Sequence, residues 1–81
     1  MKDRNKILIE ILLVSQQYDL DIVRIEFSAG SLLNDKVVIT YKINNRKYGV
    51  SISYEKDNIL EVNEIMYLFT KAVEVALKGD K

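Results

Sequence analysis

The sequence predicts a two-layer α+β domain of order α-β-β-β-α, a three-stranded antiparallel meander with both helices packed on one face. Three observations carry this. The middle of the chain holds three runs in which apolar and polar residues alternate with period two, the signature of half-buried strands. The Asn44-Asn45 step between the second and third runs sets a register in which the apolar residues share a face. Both ends of the chain repeat apolar residues at helical spacing, and helices flanking a meander give two layers around one core.

The first helix is expected from about Asp3 to Tyr18, closed by Asp19-Leu20-Asp21. It contains the run Ile7 to Val14, interrupted only by Glu10. At helical spacing Ile7, Ile11, Val14 and Tyr18 form one apolar line, Leu8 and Leu12 a second, and Ile9 and Leu13 a third. Asp3, Lys6, Glu10 and Gln17 leave a single narrow polar stripe. A surface helix needs an apolar stripe only about 100° wide, so this helix carries a surplus. The rest of the domain is expected to absorb the first line and one flank, leaving Leu8/Leu12 or Ile9/Leu13 for a partner.

The strands follow. In Ile22–Ser28 the residues Val23, Ile25 and Phe27 are expected on one face. In Lys36–Asn44, Val37, Ile39, Tyr41 and Ile43 align, and in Arg46–Tyr54, Tyr48, Val50, Ile52 and Tyr54 do. Asparagine tolerates positive φ, which suits a two-residue primed turn. That turn pairs Tyr41 with Tyr48, Ile39 with Val50 and Val37 with Ile52, whereas a one-residue slip would scatter them between faces. The loop Ala29–Asp35 joins the first two strands, with Gly30 supplying flexibility and Leu32-Leu33 unusually apolar.

Asn58-Ile59-Leu60-Glu61 matches a capping box and opens the second helix. Val62, Ile65, Met66, Phe69, Val73 and Ala76 form its inner face, flanked by Leu68, Ala72 and Val75. Asn63, Glu64, Tyr67, Lys71, Glu74 and Lys78 lie opposite, and Gly79 is the expected stop.

Composition narrows the function. Residues 1–81 are read as one domain, and a chain of this size buries only about 60–65% of its unfolded surface. There is neither cysteine nor histidine, so disulfides and the commonest metal ligands cannot supplement the core. Oligomerisation is the remaining common supplement, and a homodimer is expected. The same absences remove the usual general base and the best nucleophile. Ser15, Ser28, Ser31, Ser51 and Ser53 have no evident activating partner, and no glycine-rich phosphate loop follows a strand. Asp19 and Asp21 lack the further oxygen ligands and glycine of a calcium loop, and read as helix termination. We therefore expect no catalytic residue, no cofactor and no metal. The apolar run is too short to span a bilayer, which takes about 20 residues, and no small-residue cleavage site follows it. No membrane partner and a cytoplasmic location are expected.

Twelve basic residues balance twelve acidic ones, which removes any global attraction to nucleic acid. A local basic patch remains: Arg24, Lys36, Lys42 and Lys47 on the outward sheet face with Arg46 at the turn, against Glu26. Lys42 and Lys47 fall directly opposite each other, a pairing that costs a few tenths of a kcal/mol. It reads either as an anion site or as a solvated, aggregation-resistant hairpin end. The element order resembles that of double-stranded RNA-binding domains, which present a lysine cluster at the start of the last helix. Here that segment reads Glu55-Lys56-Asp57-Asn58, then Glu61 and Glu64, which suits the helix dipole but repels phosphate. Sheets that stack RNA bases turn aromatics outward, whereas Tyr41, Tyr48 and Tyr54 fall on the apolar face.

Protein binding has three candidate surfaces. One is the first helix's surplus, Leu8 with Leu12 or Ile9 with Leu13. Another is the small-residue outer sheet face of Val38, Thr40, Gly49, Ser51 and Ser53. The third is Leu32-Leu33, which either caps the end of the sheet or meets a partner. The expected function is a small interaction module that occludes a partner protein. Heavy use of Ile, Lys, Asn and Tyr fits an AT-rich genome, such as that of a low-GC bacterium or its phage. In size and element order the chain resembles anti-defence inhibitors of phages and mobile elements, including some anti-CRISPR proteins. The alternative is nucleic-acid or acidic-partner binding through the basic face.

Overall fold

A computed structural model describes residues 2–55 and 61–79. In chain order these form α1 (Lys2–Tyr18), β1 (Asp21–Ala29), β2 (Asn34–Ile43), β3 (Arg46–Glu55) and α2 (Glu61–Gly79). The strands make an antiparallel sheet of order β1-β2-β3, and the two helices lie side by side on one face of it. The capping box falls largely on residues 56–60, outside the described residues. α2 runs to Gly79, which does not adopt the left-handed conformation expected of a glycine stop.

α1 closes where expected. Asp19 takes φ 57°, and the Leu20 N–H donates to the Ser15 carbonyl at 2.8 Å, the six-to-one bond of a Schellman closure. Leu20, just past that bond, is buried in the core and anchors the turn into β1. Ser15 is buried too, and its hydroxyl donates to the Leu12 carbonyl at 2.7 Å, so a polar atom on the inner side of the helix is satisfied locally.

The β2–β3 hairpin has the predicted register. Asn44 and Asn45 take φ 51° and 69°, the two positive values a type I′ turn requires. Tyr41 faces Tyr48, Ile39 faces Val50, Val37 faces Ile52, and Lys42 faces Lys47. The Tyr41 and Tyr48 rings stack at 5.8 Å, and the Phe69 ring of α2 meets Tyr41 edge-on at 5.6 Å. This aromatic group ties α2 to the sheet.

β1 departs from strict alternation. Its pairing with β2 slips between Ile22 and Arg24, so Val23 is an extra residue in a β-bulge. Ile22, not Val23, joins Ile25 and Phe27 against the core, opposite Tyr41, Ile39 and Val37. Val23 is left about half exposed. Period two counts residues evenly, and the bulge inserts one that the count cannot see.

The core comprises Ile7, Ile11 and Leu20 from the first third of the chain, Val37, Ile39, Tyr41, Ile43, Ile52 and Tyr54 from the sheet, and Val62, Ile65, Phe69, Val73 and Ala76 from α2. Met66 packs against it as expected, and so does Leu77. The β1–β2 loop closes on its own polar groups. Gly30 and Ser31 N–H groups donate to the Asn34 carbonyl at 3.2 and 2.9 Å, and the Asn34 N–H donates to the Ser31 hydroxyl at 3.2 Å. Gly30 is not left-handed, and a methyl group there would make only ordinary contacts, so its conformational freedom is unused.

Candidate functional site

α1 presents one of the uncovered apolar patches of the molecule. Ile7 and Ile11 are buried, and Val14 and Tyr18 pack against the core beside them. A helix turns about 100° per residue, which places Ile9, Leu12, Leu13 and Gln16 on the opposite side. Ile9 is 58% exposed, Leu13 54% and Leu12 49%, while Leu8 is half-buried. The expectation that one flank would be absorbed is therefore corrected, since residues of both flanks reach solvent. The reason is architectural. The helices form a single layer, so α1 is covered only by the sheet and by α2 beside it, and nothing among the described residues covers its back. Lys6 and Gln17 are exposed and Glu10 is half-buried. Their stripe runs along one border of the apolar patch rather than down the middle of the solvent side.

Leu32 and Leu33 stand at the tip of the β1–β2 loop, 90% and 72% exposed, and do not cap the sheet. The outer sheet face has no covering layer among the described residues. Gly49, Ser51 and Ser53 on β3 are exposed there, and Val38 and Thr40 on the central strand are half-buried by their neighbours.

The basic patch divides. Arg24, Lys36, Lys42 and Lys47 share the outer face, but Arg46 lines a groove on the helix side of the sheet. Carboxylates interleave with the four outer cations. Arg24 Nε lies 3.3 Å from Glu26 Oε1, both side chains being more than half exposed, and Asp21 stands directly across from Lys42. Glu55 shares the same face at the far end of β3.

Sequence reasoning missed that groove, about 560 Å³ between α2 and the β3 edge. Tyr41, Tyr48 and Gly49 line one side, Ala72, Val75, Ala76 and Gly79 the other, with Arg46 and Lys71. Burial and the neighbouring Tyr48 phenol raise the Tyr41 pKa above its ordinary value. Of Leu68, Ala72 and Val75, expected to flank α2's inner face, Ala72 and Val75 line this groove, and Leu68 and Val75 are exposed. The small side chains on α2 were the available signal, but alanines on a helix flank also suit plain packing.

Among the described residues no cluster of acidic side chains is disposed to hold a metal ion, and no helix is long and apolar enough to cross a membrane. In comparisons with known proteins, no family model, no curated protein and no solved structure matches this chain.

Proposed function

We propose that this chain is a non-enzymatic interaction module that acts by binding and occluding the surface of a partner protein. One observation carries the reading: Ile9, Leu12 and Leu13 form an exposed apolar face on α1 while the opposite face of the same helix completes the core without them. Contiguous exposed apolar patches are uncommon on monomers and usually mark an interface. A helix presenting residues at i, i+3 and i+4 is a common way to enter a partner's groove. Leu32 and Leu33 offer a second apolar contact on the β1–β2 loop. The reading extends to a phage- or mobile-element-encoded inhibitor of a host defence protein working in the cytoplasm, supported by the AT-rich residue usage and the absence of His and Cys chemistry in these residues. It includes self-association, because so small a core leaves a thin stability margin.

The test is affinity capture from the native host with the wild-type chain and an Ile9→Glu/Leu13→Glu variant whose circular dichroism matches it. A discrete partner held by the wild type and lost from the variant supports the reading. Equal retention by both, or no discrete partner, overturns it. The alternative, binding of nucleic acid or an acidic partner through the outer face, draws on the directly opposed Lys42 and Lys47. Asp21 and Glu26 beside the other cations weaken it. It requires a retention that falls steeply with salt and disappears in Lys42→Glu/Lys47→Glu.

A further inference from the structure

The two edges of the sheet are built differently. β1 carries a bulge at Val23 and an ion-paired Arg24–Glu26 on its surface, devices that discourage a neighbouring strand. β3 has neither. It is ten residues long and pairs with β2 without a register shift, and the chain holds no proline. From Tyr48 to Tyr54 its core-facing positions are all apolar or aromatic. Such an edge is a template for another strand.

Its hydrogen-bonding phase follows from the turn. A two-residue hairpin loop makes Ile43 and Arg46 a hydrogen-bonded pair, and bonded pairs then alternate along the ladder. Arg46, Tyr48, Val50, Ile52 and Tyr54 direct their N–H and C=O groups to β2. Lys47, Gly49, Ser51, Ser53 and Glu55 direct theirs outward. An antiparallel neighbour must match these outward residues to its own if both apolar faces are to lie on the same side.

For a second β3, three central registers satisfy this condition. One sets Lys47 against Ser53, and another sets Gly49 against Glu55. The register centred on Ser51 sets Lys47 against Glu55 at both ends, Gly49 against Ser53, Tyr48 against Tyr54 and Val50 against Ile52. In it every charge on the shared outer face meets its opposite, and every apolar residue of the inner face meets another. Small residues fill the middle of the outer face. The same two-fold axis brings the α2 helices alongside each other on the inner side, where Ala72 and Val75 line the groove beside the edge and Val75 is 69% exposed.

We propose that β3 is the self-association edge of this protein, pairing with β3 of a second copy about an axis through Ser51 to give a continuous six-stranded sheet. The dimer buries the exposed flank of α2 and closes the groove between α2 and β3. The proposal specifies the self-association included in the proposed function and uses a face separate from the α1 surface. Partner capture through α1 and dimerisation through β3 therefore fail in different experiments.

Sedimentation velocity of the full chain across micromolar to hundreds of micromolar, with circular dichroism to confirm folding, tests it. The wild type is expected to sediment as a dimer. Ser51→Pro removes an outward N–H without breaking the ladder to β2 and should yield a monomer. Lys47→Glu places like charges at both ends and should weaken association about tenfold. Lys47→Glu/Glu55→Lys restores opposite charges and should recover it, a rescue that general destabilisation cannot mimic. The proposal is overturned by a wild-type monomer throughout, by a dimer that survives Ser51→Pro, by failure of the charge swap to rescue, or by a dimer lost only in Ile9→Glu/Leu13→Glu.

Discussion

The two helices share one layer yet turn backs of different character to solvent. α2 buries Val62, Ile65, Phe69, Val73 and Ala76, carries Asn63, Glu64, Tyr67, Lys71, Glu74 and Lys78 on its back, and exposes Leu68 and Val75 on one flank. Tyr67 on that back is covered in part by the Lys71 ammonium, 5.5 Å from the ring centroid. α1 buries Ile7 and Ile11 just as completely, but its back is Ile9, Leu12 and Leu13. The contrast separates residues that hold the fold from residues that fold without being needed by it. A helix face under selection only for solubility would resemble α2's.

Five measurements test that contrast, in order of decreasing magnitude. Phe69→Ala should cost about 3–5 kcal/mol in urea unfolding, because it empties the contact between α2 and the Tyr41 ring. That is a large part of a typical 5–15 kcal/mol total. Ile11→Ala should cost about 2–5 kcal/mol. A loss below 1 kcal/mol would mean that α1 is not part of the cooperative core. Asp19→Val should cost about 1–2 kcal/mol, since a β-branched residue resists the left-handed conformation that closes α1.

A smaller effect is expected at alkaline pH. The folded Tyr41 phenol holds its proton more tightly than the unfolded one. Its contribution is therefore complete below the ordinary tyrosine pKa of about 10 and is lost as pH rises through that value toward the folded one. Stability should decline above about pH 10, and Tyr41→Phe should flatten the decline, read as urea midpoints across pH 8–11. Smallest of all, Ile9→Glu/Leu13→Glu should shift stability by no more than about 0.5 kcal/mol, as for surface positions without partners. A loss of several kcal/mol would place these side chains in the core and remove the contrast between the helices.

Much of the architecture was legible in the residues. Asn44-Asn45 and the alternation on either side of it determine the β2–β3 register, because turn chemistry and face assignment agree in one pairing only. The spacing of α2's apolar residues determines its buried face, and Ile7, Ile11, Val14 and Tyr18 mark the inner line of α1. The tertiary structure decided the rest. Val23 bulges because β1 must meet the pleat of β2, a constraint that no count along β1 contains. Leu12 joins Ile9 and Leu13 in solvent because a single helical layer covers α1 from one side alone. The groove between β3 and α2 exists only once α2 has docked on the sheet, since it is assembled from residues distant in the chain. Local pattern sets which face of an element is apolar; the number of layers sets how much of that apolar surface is covered, and that number is a property of the packed whole.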